Sequence, residues 1–268
     1  MAETVLLVGC GNMGRAMLAG WLASRKELRA WVVEPNDELR AHAAALGAEA
    51  VDAAAALPKS LAPDLVVLAV KPQVMPAVLP DYARFSGATF LSVAAGTTVA
   101  TLRAGLGRMA AVIRSIPNTP AAIGAGMIVC YPTPEVDASA RALASGLLSA
   151  SGEVAWIEDE ALMDAVTAVS GSGPAYVFHM IETMAAAGVA AGLPEALSGR
   201  LALQTVMGAA RLAAESGVAP GKLREQVTSP NGTTAAALAV LMGEGGLQGL
   251  MTRAVAAAKA RGEELGRG

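Results

Sequence analysis

Near its start the sequence carries three glycines, Gly9, Gly11 and Gly14, at the spacing G-x-G-x-x-G directly after a short apolar run. If the run is a strand and the next stretch a helix, this pattern predicts a turn that binds the pyrophosphate of a dinucleotide. The first glycine allows a sharp turn, the second lets the backbone approach phosphate, and the third lets helix and strand pack closely. A purely structural turn remains the alternative, because the pattern alone is weakly specific.

A candidate ribose ligand, Glu34, follows Gly14 by twenty residues. Dinucleotide-binding folds place an acidic residue on the adenosine ribose at this spacing. Because Pro35 and Asn36 form a turn there, a solvated charge at a strand end is the alternative. A carboxylate accepts from a free 2′-hydroxyl and repels a 2′-phosphate. We therefore expect NADH to be used at least as well as NADPH, although Arg40, the nearest following arginine, could fold back.

A second candidate site is the loop T-S-P-N-G-T-T, Thr228 to Thr234, which lies between two predicted helices. The backbone N–H groups of Gly232, Thr233 and Thr234, with the Ser229 hydroxyl, would bind a carboxylate at the start of the second helix. The alternative is an ordinary cap, in which Thr233 or Thr234 bonds to its own helix, and spacing alone favours that reading.

Strands alternate with helices through Ile157, which predicts an open, mainly parallel sheet of the doubly wound, Rossmann type in the α/β class. Apolar runs and turn residues predict strands from Thr4 and at Ala30–Val33, Ala48–Val51, Leu65–Val70, Thr89–Val93, Ala111–Ile116, Gly126–Tyr131 and Glu153–Ile157. Helical spacing predicts helices at Asn12–Ser24, Asp37–Leu46 and Glu135–Ser149.

From Glu158 onward the sequence predicts only helices, three of which begin with a proline in the favoured first position: Pro174, Pro194 and Pro220. The helix between Pro174 and Gly192 carries only His179 and Glu182 as charged residues, so it must be buried. A small helical domain cannot easily surround such a helix. We therefore expect a homodimer formed through residues 160–268, with His179 packed or at the interface.

The composition narrows the function further. A net charge of −3 without a run of Lys or Arg argues against nucleic-acid binding. Ser115 to Pro134 is uncharged, but its prolines argue against a membrane-spanning helix. Since the N-terminus lacks the pattern of a secretory signal, we expect a cytoplasmic protein. Cys10 and Cys130 are expected to be small buried residues, and neither they nor the two histidines have the spacing of metal ligands.

The T-S-P-N-G-T-T loop resembles the S-P-G-G-T-T loop of pyrroline-5-carboxylate reductases, and the resemblance covers nearly the whole chain. Further landmarks occur in the family's order: Gly9 to Gly14, Ala69 to Pro72, Ala94 to Gly96, Pro117 to Pro120, Asp164 to Thr167 and Ser170 to Ala175. The resemblance implies a dinucleotide-binding domain at 1–159 and an all-helical domain at 160–268 that binds substrate and dimerises, often within larger rings. It also implies reduction of a cyclic imine, pyrroline-5-carboxylate, to proline by NAD(P)H, the last step of proline biosynthesis.

The resemblance and the strand ends together assign site residues. The cofactor would be held by Val8, Gly9, Cys10, Gly11, Asn12, Met13, Gly14, Glu34, Ala69, Val70, Lys71, Pro72, Ala94, Ala95, Gly96 and Asn118. The substrate would be held by Glu160, Ser229, Asn231, Gly232, Thr233 and Thr234. Thr234 would be the catalytic residue, which orients the ring nitrogen and relays a proton.

Two residues depart from the family's pattern. Asn231 replaces the more usual glycine, and because Asn tolerates left-handed backbone we expect the loop to be kept. Glu34 is acidic where several relatives have a hydroxyl or a small polar residue. This difference makes cofactor preference specific to the chain.

Three other functions remain open. A 3-hydroxyacid or 6-phosphogluconate type of dehydrogenase would need a K-x-x-N helix, but the helix after Pro174 contains no Lys. An imine reductase of wider substrate range fits better. A non-catalytic dinucleotide sensor or scaffold would keep the glycines but would not need the loop from Ser229 to Thr234.

Overall fold

The structure, a computed structural model, describes residues 3–266, and its first half is built on one sheet. The strands are β1 Thr4–Val8, β2 Arg29–Val33, β3 Glu49–Val51, β4 Leu65–Leu68, β5 Thr89–Ser92, β6 Ala111–Pro117, β7 Gly126–Pro132 and β8 Gly152–Trp156. Their order in the sheet is β3-β2-β1-β4-β5-β6-β7-β8. All neighbouring pairs are parallel except β6 and β7. The predicted doubly wound, mainly parallel sheet is confirmed.

Helices cover both faces of this sheet. They are α1 Asn12–Ser24, α2 Asp37–Ala45, α3 Met75–Tyr82, α4 Val99–Leu106 and α5 Ala138–Leu148. Because side chains alternate along a strand, Val5 and Leu7 enter one apolar cluster with α1 and α5, while Leu6 and Val8 enter another with α3 and α4. Burial on both faces explains why the central strands are continuous apolar runs rather than alternating ones.

A tryptophan joins the helices on the first face. Trp21 is fully buried, and its indole N–H donates to the carbonyl oxygen of Leu147 at 3.0 Å. This bond ties α1 to α5, so a polar atom in the core has the partner that burial requires.

The rest of the chain is helical. After a single turn of 3₁₀-helix at Glu160–Leu162 come α6 Met163–Val166, a π-helical turn at Thr167–Gly171, α7 Gly173–Ala190, α8 Glu195–Ser216, α9 Pro220–Gln226, α10 Thr233–Leu241 and α11 Leu247–Gly266. The chain divides into two compact units, one holding the residues up to 171 with those from 259 onward, and the other holding 172–258. Among residues 3–266, no helix combines the length and apolar character needed to cross a membrane.

In the second unit α7 and α8 pack closely against each other. A β-carbon at Gly188 would lie 2.1 Å from the Ser198 hydroxyl, which itself donates to the carbonyl of Ala185 at 2.6 Å. The outer sides of the helices remain apolar. Large exposed side chains include Val177, Phe178, Met184, Val189, Leu197, Leu201, Leu203, Met207, Leu212, Val240, Leu241 and Met242. So many exposed large apolar side chains on these helices indicate an interaction surface.

Most predicted element boundaries agree with the structure to within two residues, and the exceptions have local causes. The helix predicted from Glu135 begins at Ala138, because Asp137 is its N-cap and accepts from the N–H of Ala140 at 2.8 Å. Of the three prolines, only Pro220 takes the first helical position. Pro174 is second in its helix and Pro194 precedes its helix as the N-cap residue.

The predicted burial of both cysteines is confirmed, since Cys10 and Cys130 have no exposed surface. Burial raises the pKa of the Cys130 thiol to about 12, as expected for a thiol in an apolar core. His179, by contrast, is exposed on α7, with its Nδ1 3.3 Å from the Glu182 carboxylate. It is therefore not packed within the single chain.

Candidate active site

The carboxyl ends of five neighbouring parallel strands meet at one edge of the sheet. In the spatial order β2, β1, β4, β5, β6, these strands are followed by Glu34, Gly9, Ala69, Ala94 and Asn118. At a strand spacing of about 4.8 Å, these ends span roughly 19 Å. The sheet order reverses direction between β1 and β4, which is where open α/β sheets bind their ligands. The structure thus brings the predicted cofactor residues to one edge of the sheet.

The turn after β1 accepts only glycine at two positions. Gly9 has a φ of +88°, and a β-carbon there would lie 2.9 Å from a methyl group of Val70. A β-carbon at Gly14 would lie 2.3 Å from the carbonyl oxygen of Gly9. The first glycine therefore allows the turn, and the third lets α1 approach the end of β1, as the spacing predicts.

Gly11 serves a different purpose. It is the N-cap residue of α1, and no side chain caps the helix there. A β-carbon at Gly11 would meet no atom within 4 Å. The first N–H groups of α1 have no partner within the helix, and the space beside Gly11 is open, which is the arrangement that binds phosphate groups. These residues fit a dinucleotide pyrophosphate.

Glu34 lies at the end of β2 with only 7% of its surface exposed. Its Oε2 accepts from the backbone N–H of Cys10 at 2.7 Å, and its Oε1 accepts from that of Asn36 at 3.0 Å. Burial raises the pKa of the Cys10 thiol, Glu34 raises it further, and the charge of Arg15 opposes both. Cys10 therefore contributes to this edge through its backbone N–H, which binds the Glu34 carboxylate.

The β4 and β5 ends lie beside the glycine turn. The N–H of Ala69 donates to the carbonyl of Val8 at 2.8 Å, so the backbones stay paired one residue beyond β4. Lys71 is exposed two residues later. After β5, Ala94 is buried and Gly96 turns the chain with a φ of +75°. Small residues here leave room for a flat ring, and their cofactor contacts stay predictions.

The side chain of Asn118 is committed to the fold. Its Nδ2 donates to the carbonyl of Ser170 at 3.2 Å, and its Oδ1 accepts from the N–H of Met127 at 2.9 Å. The amide thus ties the end of β6 to the start of β7 and to the π-helical turn. A direct contact of Asn118 with the cofactor stays a prediction.

Glu160 takes part in an ion pair that sequence reasoning missed. Its Oε1 accepts from Nη1 of Arg114 at 2.8 Å and from the backbone N–H of Val99, the first residue of α4, at 2.9 Å. Only 5% of the Arg114 side chain is exposed, and its Nε is buried without a partner among the described residues. A signal was available, because a single arginine inside the apolar run A-V-I-R-S-I requires a carboxylate partner.

The loop before α10 matches its prediction in outline and corrects it in two details. Asn231 has a φ of +60°, so the expected left-handed backbone is confirmed. The N–H of Gly232 is not free, because it donates to the carbonyl of Ser229 at 3.1 Å. The alternative in which Thr233 or Thr234 caps the helix is wrong, since Gly232 is the N-cap residue and no side chain caps α10.

The N–H groups of Thr233 and Thr234 stand in the first turn of α10, where no intrahelical partner exists. A β-carbon at Gly232 would lie 2.5 Å from Ser229 Oγ, so the hydroxyl is held close to the start of the helix. The loop therefore offers two backbone donors and one hydroxyl to an anion.

A cavity of about 590 Å³ lies at the opposite edge of the sheet, by the amino ends of β1, β4 and β5. Its acidic groups already have partners in the fold. Asp64 accepts from the N–H of Thr4, Asp137 caps α5, and Glu3 pairs with Arg25. This cavity is not where the candidate site residues converge.

Two family models match different parts of the chain. Residues 160–265 match the family model for pyrroline-5-carboxylate reductase dimerisation, and residues 4–96 match that of NADP oxidoreductase, coenzyme F420-dependent. The chain is 41% identical to the pyrroline-5-carboxylate reductase of Pseudomonas aeruginosa, over 97% of this chain and 96% of the relative. It is 38% identical to that of Escherichia coli, over 91% and 92%.

Two solved structures have folds similar to that of this chain. The pyrroline-5-carboxylate reductase of Coxiella burnetii superimposes with a TM-score of 0.90 at 32% identity, covering 99% of both chains. The pyrroline carboxylate reductase of Plasmodium falciparum, with NADP bound, does so with a TM-score of 0.79 at 26% identity, covering 98% of both.

Two glycine substitutions should separate the structural from the binding role of the turn. Gly14→Ala should lower the free energy of unfolding by about 2–3 kcal/mol, because the added carbon overlaps the Gly9 carbonyl. Gly11→Ala should change stability by less than about 0.5 kcal/mol but weaken NADH binding at least about tenfold, because its methyl group occupies the phosphate space. Urea denaturation and NADH fluorescence titration measure the two effects. Equal destabilisation by both variants would contradict this assignment.

The buried ion pair should matter more than an exposed one. Glu160→Ala strands the Arg114 charge and should lower the free energy of unfolding by about 3 kcal/mol. The matched control is Glu158→Ala, which removes an exposed pair with Arg141 and should cost less than about 1 kcal/mol. Urea denaturation at one protein concentration compares the two. If both variants lose the same small amount, Glu160 does not hold Arg114 in place.

Proposed function

The chain belongs to the pyrroline-5-carboxylate reductase family, and from this we infer that it reduces the cyclic imine 1-pyrroline-5-carboxylate to L-proline with a hydride from NAD(P)H. The observation that carries the inference is 41% identity over nearly the full length of both this chain and its relative. The reaction is the last step of proline biosynthesis. A cytoplasmic location, where a biosynthetic enzyme draws on reduced nicotinamide cofactor, is part of the proposal.

The cofactor supplies the hydride, and the protein's part is to hold it and to orient the substrate. We assign the pyrophosphate to the start of α1, where Gly11 leaves open space beside unpaired N–H groups. The rest of the cofactor lies at the carboxyl ends of β4 and β5, where it is held by Ala69 to Pro72 and Ala94 to Gly96. The Plasmodium falciparum relative, which was solved with NADP bound, supports a nicotinamide dinucleotide as the cofactor.

We assign the substrate carboxylate to the start of α10. The N–H groups of Thr233 and Thr234 and the hydroxyl of Ser229 are its donors, and the positive end of the helix dipole favours the anion. Asn231 in left-handed backbone and Gly232 beside Ser229 shape the loop around it. No arginine is required, because a carboxylate can be bound by backbone donors alone.

Thr234 orients the imine nitrogen through its hydroxyl. An alcohol does not ionise near neutral pH, so Thr234 positions and relays a proton rather than acting as a strong acid. Orientation by two anchors, the carboxylate at the helix start and the nitrogen at the hydroxyl, fixes the five-membered ring. Such fixed orientation is a large part of the catalytic effect that an enzyme can supply.

In this proposal, residues 1–159 bind the cofactor and residues 160–268 bind substrate and associate. Glu160 stays a predicted substrate residue, although its contacts with Arg114 and Val99 favour a positioning role. The match to the dimerisation model and the apolar surfaces of α7, α8 and α10 support a homo-oligomer. We further propose that the dimers assemble into larger rings.

The role of Thr234 is tested by substitution. Thr234→Ala should lower kcat by about 100-fold with pyrroline-5-carboxylate, while Thr234→Ser should restore most of it. Thr228→Ala is the matched control, because that hydroxyl is already donated to the carbonyl of Arg224 and should matter little. The measurement is oxidation of reduced cofactor at saturating substrate. Wild-type turnover in Thr234→Ala would exclude the assigned role.

Association through the apolar helices can be tested by measuring the molecular mass of the protein in solution. Light scattering should give a multiple of 26.9 kDa, at least a dimer. Placing charges on α8 in Leu203→Glu/Met207→Glu should shift the mass toward the monomer, because both side chains are exposed and apolar in the single chain. Glu215→Gln alters only an exposed ion pair with Arg211 and should leave the mass unchanged. A wild-type monomer would refute the proposal.

A further inference from the structure

The end of β2 holds a carboxylate in one orientation. Glu34 is nearly buried, and each of its oxygens accepts a backbone hydrogen bond, from Cys10 at 2.7 Å and from Asn36 at 3.0 Å. The two donors belong to different segments, the turn after β1 and the turn before α2. Rotation of Glu34 away from this edge would break both bonds and leave the buried N–H of Cys10 unpaired, which is costly.

The same carboxylate still has capacity to accept. A carboxylate offers about four lone-pair sites, and the backbone uses two of them. The hydroxyl groups of an unmodified adenosine ribose can donate to the others. The 2′-phosphate of NADPH instead brings negative charge against a nearly buried anion, and it has no proton to donate. The arrangement therefore attracts NADH and repels NADPH.

Arg40 does not offset this repulsion. Its Nη1 donates to the carbonyl oxygens of Glu34 and Pro35 at 3.0 and 3.1 Å, and its Nη2 bonds to the carboxylate of Asp37. The guanidinium thus links α2 to the turn that follows β2. It would have to break these three bonds before it could meet a phosphate.

Arg15 is a second cation near this edge. It is exposed on the first turn of α1, and its charge acts on Cys10. A cation at the start of α1 lies beside the assigned pyrophosphate position, and both cofactors carry the same pyrophosphate. Arg15 therefore strengthens binding of either cofactor without distinguishing them.

We propose that Glu34, held by the N–H groups of Cys10 and Asn36 while Asp37 retains Arg40, makes this chain select NADH over NADPH. The inference rests on the proposed function only in placing the adenosine ribose at this edge. It departs from the family model that matches residues 4–96 and from the relative with NADP bound, both of which are named for NADP.

The experiment measures two quantities for each cofactor on the full-length protein: Kd by fluorescence titration without substrate, and kcat/KM with pyrroline-5-carboxylate. The wild type should favour NADH by at least about tenfold in both. Glu34→Gln removes the charge and keeps the side-chain shape, and it should bring the ratio close to one. Glu34→Ser/Asp37→Asn also releases Arg40 and should reverse the preference toward NADPH.

Glu38→Gln is the matched control. It removes one exposed carboxylate from the first turn of α2, so it changes the net charge equally, and the ratio should not move. A wild-type preference for NADPH, an unchanged ratio in Glu34→Gln, or an equal shift in Glu38→Gln would each overturn the proposal. So would failure to bind either cofactor.

The two inferences fail separately. Selective NADH binding without oxidation by pyrroline-5-carboxylate would remove the proposed function and leave the selectivity intact. Turnover of pyrroline-5-carboxylate with NADPH as the better cofactor would keep the function and remove the selectivity.

Discussion

Helix α1 approaches the end of β1 so closely that a β-carbon at residue 14 would lie 2.3 Å from the carbonyl oxygen of Gly9. This contact sets where the helix begins, and hence where its unpaired N–H groups point. The backbone N–H of Cys10 in the same turn fixes Glu34 at the end of β2. The turn from Gly9 to Gly14 thus positions both the predicted phosphate site and the predicted ribose ligand.

Charge near this edge of the sheet is held by short-range partners. Arg114 is buried against Glu160, Arg40 is bonded to Asp37 and two carbonyl groups, and Glu34 is bonded to two amides. Because a buried charge without a partner is strongly destabilising, the buried Arg114 and Glu34 are held in fixed positions. Fixed charges discriminate between ligands of different charge more sharply than mobile ones can, since they do not rearrange to accommodate the wrong ligand.

The helical unit depends on a different constraint. Packing of its helices against one another leaves much apolar surface exposed. None of the residues of α7 is buried within the single chain. The exposed Phe178, Leu203 and Met207 are side chains of the kind that lie inside protein cores. Association of subunits supplies the burial that one chain cannot, which accounts for a helix with only two charged residues in its sequence.

Local chemistry let the sequence alone determine much of this protein. The glycine spacing placed the turn and α1, the apolar runs placed the strands, and the tolerance of Asn for left-handed backbone foretold the conformation at Asn231. These features depend on neighbours within a few residues, so they can be read without a fold. The family resemblance likewise came from short motifs in a constant order.

Only the tertiary structure decided which polar groups are already in use. Glu160 meets Arg114 across 46 residues, Asn118 meets Ser170 across 52, and Cys10 meets Glu34 across 24. The commitment of the Gly232 N–H to Ser229 lay within one loop, yet it too depended on backbone geometry that composition does not specify. Hydrogen-bond partners are set by distance and direction in space, and residue types alone define neither.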